Sequence, residues 1–159
     1  NRARSGEAPL PGGRPGRREV VEHPGGASVL YVREGKVLLV RQFRYPYGEE
    51  TLEIPAGKLD PGEDPAHTAA RELAEETGWE PASVEHLYTI YPTPGYSAEK
   101  IYIYRARGVR AGAAHPDEGE FLTAAFYPVS DVLAMIERGE IRDAKTIIAV
   151  QSLRLSGEA

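Results

Sequence analysis

The stretch Asp60–Trp79, DPGEDPAHTAARELAEETGW, specifies a helix with both ends marked and with more negative charge than a helix of that length holds comfortably. Asp64 offers an N-cap oxygen, Pro65 the fixed φ of a first helical residue and Gly78 the left-handed stop, so the spacing predicts a helix over 65–77. Glu72 and Glu76 stand at i and i+4 on one face, and Glu75, one position round, reaches the same point. Like charges at that spacing oppose each other by about 0.2–0.5 kcal/mol, and the last helical turn already carries the negative end of the macrodipole. Three acids there call for a cation. A hard divalent ion, Mg²⁺ or Mn²⁺, takes one or two carboxylates, keeps waters and completes its shell with phosphate oxygens, which makes this a candidate metal-dependent phosphate site. For E-x-x-E-E alone, a solvated acidic face is the plainer alternative.

The residues around the acids extend the pattern. Gly57, Glu63, Arg71, Glu72, Leu73, Glu75, Glu76, Gly78 and Trp79 fall on G-x5-E-x7-R-E-U-x-E-E-x-G-U, where U is bulky and apolar. The probability of that set arising by chance in a chain of this length is on the order of 10⁻⁷. The segment 57–79 resembles the box of the Nudix hydrolases without a departure. The resemblance implies an α+β fold, an α/β/α sandwich with a mixed β-sheet and the loop-helix of that family. It implies an enzyme that hydrolyses a nucleoside diphosphate linked to another group. It further implies that Glu72 and Glu76 ligate the metal with help from Glu75, that the backbone carbonyl of Ala56 is another ligand, and that Arg71 and Glu63 pair to hold the loop against the helix. More than one Mg²⁺ ion is expected.

Other segments point to one branch. Tyr91-Pro-Thr-Pro-Gly-Tyr-Ser97 is a stiff Pro/Gly turn, which taken alone reads as a strand connection. It resembles the proline-containing turn of the ADP-ribose pyrophosphatase branch, and Glu22-His23-Pro24, Arg41-Gln-Phe-Arg-Tyr-Pro46 and Leu52-Glu-Ile-Pro-Ala-Gly57 resemble further segments of it. The resemblance places Glu22 and Glu53 at adenine or ribose, Glu99 at the terminal ribose, and Pro94, Gly95, Tyr96 and Ser97 in the substrate-binding turn. Arg44 is the candidate contact to phosphate or terminal ribose, since a guanidinium fork matches phosphate oxygens; an exposed strand-end arginine is the alternative. Tyr45, Tyr47 and Tyr96 are candidates to stack on a base or to pack at strand ends. The reaction expected is ADP-ribose to AMP and ribose 5-phosphate. Other nucleoside diphosphate derivatives (nucleotide sugar, dinucleotide, oxidised nucleotide) and a nucleotide-sensing domain without turnover are the alternatives.

A pyrophosphate carries charge on every phosphoryl group, so hydroxide approaches only where metal neutralises the oxygens and a carboxylate orients the water. The loop His115-Pro-Asp-Glu-Gly-Glu120 is the other dense acidic segment. The resemblance points to Glu120 as the base or a late metal ligand, with Glu118 as rival, and the sequence does not separate them.

At 159 residues and 41% hydrophobic content the chain suits a single domain over 1–159. A net charge of −5 with no basic patch argues against nucleic acid, and no segment is long and apolar enough for a membrane-spanning helix. Absence of cysteine agrees with a cytoplasmic setting. The chain starts at Asn1 and its one methionine is Met135, so an initial segment is expected to be missing. A homodimer is expected from the branch, with a small-molecule substrate as ligand. Alternation and β-branched or aromatic content predict strands over 18–23, 27–33, 36–45, 51–54, 84–91, 99–106 and 120–128, with a hairpin through Glu34-Gly35. Ser130-Asp131 is expected to cap a short helix ending at Gly139, and Asp143 a final helix over 144–155.

Overall fold

The computed structural model describes residues 2–114 and 122–158. It opens with a hairpin of β1 (Arg2–Pro9) and β2 (Pro15–Glu22), then β3 (Gly26–Leu30), β4 (Val32–Arg33) and β5 (Lys36–Arg44). Next come β6 (Glu49–Glu53), β7 (Ala56–Lys58) and helix α1 (Pro65–Thr77). The short β8 (Trp79–Glu80), β9 (Ser83–Ile90), β10 (Ile101–Arg107) and β11 (Arg110–Ala111) follow. The remainder is β12 (Thr123–Pro128), α2 (Val129–Glu137) and α3 (Ala144–Leu155).

A mixed sheet runs β7-β3-β10-β9, with β3 and β10 parallel and the other neighbours antiparallel. A second, antiparallel sheet joins β12, β5 and β4, and β6 also pairs β5. Every residue of β3 is buried, as expected of a central strand with a parallel neighbour and cover on both faces. Period-2 alternation sorts its side chains. Ala27 and Val29 join Leu38, Tyr104 and Ala106 in a core closed by Ala69 and Leu73 of α1, while Leu30 joins Val37, Leu39 and Ile103 in a core closed by Val132 of α2 and Ala149, Val150 and Leu153 of α3. Helices therefore cover both sides of the strands, the α/β/α sandwich the sequence predicts. Trp79, just past α1, packs edge-on or tilted against Tyr31 and Phe126 with ring centroids 5.6–5.7 Å apart, which fixes the exit of the helix.

The expected turn at Glu34-Gly35 has positive φ at both residues, 51° and 72°, as a two-residue hairpin loop requires. One helix start differs from expectation. Ser130-Asp131 does not cap α2, which begins at Val129 after Pro128 and has no side-chain cap; the Val129 N–H is instead taken by the Gly35 carbonyl, 3.0 Å away. The expected strand over 27–33 is divided at Tyr31, and that over 120–128 is seen from Thr123, residues 120 and 121 lying outside the described ones. Among the described residues no helix is long and apolar enough to cross a membrane.

Candidate active site

Helix α1 begins and ends where its capping residues direct: Asp64 Oδ1 accepts the Ala66 N–H at 2.9 Å, and Gly78, at φ 75°, donates its N–H to the Ala74 carbonyl at 2.8 Å. Its buried side contains Thr68, Ala69 and Leu73, and also Glu72 and Glu76, which are only 9% and 7% exposed. Two carboxylates therefore take part in the face that packs inward. Strand β7, paired antiparallel to β3, brings Ala56 and Gly57 alongside them. The Ala56 N–H donates to Glu76 Oε2 at 3.2 Å. Gly57 lies so close to Glu72 that a Cβ there would stand 1.9 Å from Oε1, so this position needs glycine for close approach.

Arg71 binds this cluster together. Its Nε and Nη2 donate to the two oxygens of Glu63 at 3.0 and 3.1 Å, and Nη1 lies 2.8 Å from both Glu72 Oε1 and Glu75 Oε2. Nη2 also reaches the Lys58 carbonyl at 3.4 Å. The guanidinium holds the Glu63 carboxyl well below the usual carboxylate range, with the Asp60 N–H adding to the effect, and Glu63 foremost raises Arg71 in return. Arg71 and Glu63 are thus joined as the sequence suggests, and Arg71 provides the positive charge that the acids of the last turn require. His67, largely exposed, contacts Glu63 at 2.9 Å.

The carboxylates of Glu72, Glu75 and Glu76 are oxygen donors of the kind that suits a hard divalent ion. Among the described residues no three His, Cys, Asp or Glu side chains form a ready metal-holding group. Arg71 stands between Glu72 and Glu75, 2.8 Å from each.

An open cleft of about 660 Å³ is lined by Arg71, Glu72, Glu75, Ala56 and Gly57 together with Arg44, Gln42, Lys145, His23 and Glu99. That volume suits a nucleotide-sized ligand. The basic part of the lining is held by Glu53, which is 3% exposed and does not itself line the cleft. Arg44 donates Nε and Nη2 to its two oxygens at 2.7 and 2.6 Å, Thr51 donates its hydroxyl at 2.6 Å and Lys145 its ammonium at 2.5 Å. Burial alone pushes Glu53 up, but the bonds from Arg44, Lys145 and Thr51 outweigh it and hold its pKa at about 2. Helix α3 docks on this network. Asp143 accepts from the Thr146 N–H at 3.0 Å and from Lys145 Nζ at 2.8 Å, and the Thr146 hydroxyl accepts the Ile54 N–H at 2.8 Å.

The remaining expected residues are more dispersed. Glu99 is on the cleft, 3.7 Å from His23 Nδ1, which accepts the Gly25 N–H. Glu22 pairs with Arg4 on the exposed hairpin and is not part of the cleft lining. The turn Pro94–Ser97 also stands off the lining, tied to β2 by the bond from the Val21 N–H to the Tyr96 carbonyl at 2.8 Å. Tyr45, Tyr47 and Tyr96 are exposed. Glu118, Glu120 and His115 lie outside the described residues. Lys145 is a charged cleft residue that reading the sequence missed, as are Lys58 and Asp60. One signal pointed to Lys145: a cation at the second position of a helix faces the positive end of the macrodipole and needs an acid nearby.

A family model described as NUDIX domain matches residues 21–150. The chain is 43% identical over 149 residues to a protein named methanol dehydrogenase activator from Bacillus methanolicus, spanning 92% of this chain and 80% of that one. It is 41% identical over 149 residues to a protein named ADP-ribose pyrophosphatase from Bacillus subtilis (strain 168), with the same coverage. Among solved structures, that of an ADP compounds hydrolase superposes with a TM-score of 0.84 at 21% identity, covering 99% of this chain and 88% of that chain, which is a likeness of fold.

Proposed function

Because this chain belongs to the NUDIX family, we propose that it is a Mg²⁺-dependent pyrophosphatase that hydrolyses ADP-ribose to AMP and ribose 5-phosphate. The observation that carries this reading is the composition of one cleft, where an acidic cluster on α1 and the guanidinium of Arg44 line the same space. The 41% relative named ADP-ribose pyrophosphatase supports the substrate. Glu72, Glu76, Glu75 and the Ala56 carbonyl would hold the ion or ions. When bound, such an ion neutralises phosphate oxygens and acidifies a water. Arg71 and Glu63 keep the loop after β7 seated on the helix, so that the carboxylates and the Ala56 backbone stay in register. Arg44, fixed by Glu53, is directed at phosphate. Glu120 or Glu118 supplies the base. Glu120→Gln and Glu118→Gln, assayed side by side, should lose activity very unequally; equal and modest losses would mean that the acidic loop holds no unique base.

The test of function is AMP release from ADP-ribose in Mg²⁺, beside ADP-sugars, NADH and an oxidised guanine nucleotide, each with and without EDTA. Metal-dependent AMP from ADP-ribose at the highest kcat/KM is the expected result. Faster turnover of another compound would move the substrate within the family. The relative named as an activator gives weight to a second reading, a nucleotide-sensing domain, which binding without any turnover would select.

We also propose a homodimer. Most of the β1–β2 hairpin is exposed and no residue of it is buried; a two-stranded ribbon is marginal in water, so a second copy would cover the part beyond its tie at Val21.

A further inference from the structure

His23 is a nearly buried side chain on the cleft whose two ring nitrogens stand in different surroundings. Strand β2 leads into it: the Val21 N–H donates to the Tyr96 carbonyl at 2.8 Å and the Ala98 N–H to the Val21 carbonyl at 2.9 Å, which sets His23 beside Glu99. The chain then bends through Gly25, at φ 99°, into β3. At the bend the Gly25 N–H donates to His23 Nδ1 at 3.1 Å. A ring nitrogen that accepts carries no hydrogen of its own, so in the neutral imidazole the hydrogen belongs to Nε2. Glu99 Oε1, 3.7 Å from Nδ1, is too distant for a hydrogen bond and leaves that tautomer in place. The His23 side chain is only 9% exposed, yet it lines the cleft. Among the described residues its Nε2 has no hydrogen-bond partner, and it is not sealed from solvent either, since the buried side-chain atom left without a partner is Ser28 Oγ. Nε2–H therefore opens on the cleft as a neutral donor with no acceptor from the protein.

Resting on the reading of the ligand as a nucleoside diphosphate linked to a sugar, we infer that His23 is a specificity-determining residue whose Nε2–H donates to a hydroxyl oxygen of that sugar. The neighbour on the cleft decides the class of acceptor. A hydroxyl accepts from the imidazole and can donate to the Glu99 carboxylate, so one group satisfies both. A phosphate oxygen also accepts from the ring, but it meets the like charge of Glu99. The edge of a base offers a donor and an acceptor too, yet a base gains from stacking, and the described lining contains no Phe, Tyr or Trp. Because Gly25 already holds the ring, little side-chain freedom is lost when the ligand arrives.

ADP-ribose and ADP, which has the diphosphate without the second sugar, are the probes, bound in EDTA to stop turnover and followed by titration calorimetry. His23→Asn places an amide oxygen near the position of Nδ1, so it keeps an acceptor for Gly25 and removes the donor into the cleft. His23→Gln places its amide near the position of Nε2 and gives up the bond from Gly25. The Asn variant should weaken Kd for ADP-ribose about three- to ten-fold at wild-type Tm, whereas the Gln variant should stay within about two-fold of wild type at a lower Tm. ADP should not distinguish the three proteins. Wild-type affinity for ADP-ribose in the Asn variant overturns the inference and leaves His23 as a brace for the bend. An equal loss with ADP overturns it as well, by placing the contact on the nucleotide half, and so does wild-type protein that fails to bind ADP-ribose. ADP-ribose turnover by wild type in Mg²⁺, measured separately, tests the activity: its absence would remove the hydrolase and leave the binding difference standing.

Discussion

Glu76 is buried, accepts the Ala56 N–H and stands in the last turn of a helix whose dipole opposes it, so its presence is explained by function more readily than by stability. Glu76→Gln keeps an acceptor for Ala56 and removes the charge. Turnover should fall at least about 100-fold, with stability changed by no more than about 1 kcal/mol. Near-normal kcat in that variant would remove Glu76 from the metal site. Ser28 is a contrary case in the core: it is fully buried on β3, and its Oγ has no hydrogen-bond partner among the described residues. A buried hydroxyl without a partner costs about 1–3 kcal/mol, so Ser28→Ala should raise stability by about 1 kcal/mol, read as a higher denaturant midpoint at unchanged m. A lower midpoint would mean that the hydroxyl has a partner in solution. At this scale the acids of the box were legible because their spacing is local and their charge is in conflict with the helix. Glu53 was legible only as a candidate, since its partners Arg44 and Lys145 lie nine and 92 residues away and no spacing rule links them.

Among the elements, α1 and α3 were readable to the residue because Asp64, Gly78 and Asp143 do their capping within the local chain. The start of α2 was not, because the N–H that needs a partner finds the carbonyl of Gly35 in a distant turn and leaves Ser130-Asp131 inside the helix. Strands β7, β8 and β11 were missed for a different reason: two or three residues contain no period, and their pairing is set by the partner strand. The join between β6 and α3 gives a prediction of its own. Glu53 titrates near pH 2 in the folded protein against an ordinary 4.5, so its contribution to stability is complete above about pH 4.5 and is lost as the pH falls toward 2. Urea unfolding of wild type should therefore weaken over that window, and Glu53→Gln, already weaker at neutral pH, should weaken less. Parallel curves for the two proteins would show that the tie contributes no pH dependence.

For the molecule as a whole, the sandwich follows from alternation: neighbouring residues of β3 and β5 enter different cores, one under α1 and one under α2 and α3; it was legible as what the resemblance of segment 57–79 implies, not from the pattern of these strands. The β1 half of the hairpin was not legible, since its exposed, charged residues carry no inward pattern. If the hairpin is the dimer contact, removing residues 2–18 should convert a dimer to a monomer in sedimentation equilibrium while the circular dichroism of the rest persists; an unchanged mass would place the contact elsewhere. One further consequence concerns time. The bonds from Lys145 to Glu53 and from the Ile54 N–H to Thr146 each span 92 residues, whereas Arg71 meets all three of its acids within eight positions. During synthesis, then, the acidic side of the cleft can assemble while the ribosome is still working through the middle of the message, but its basic side has to wait for residues 145 and 146 to emerge. By this order the nascent chain can acquire its carboxylate cluster well before Glu53 meets Lys145.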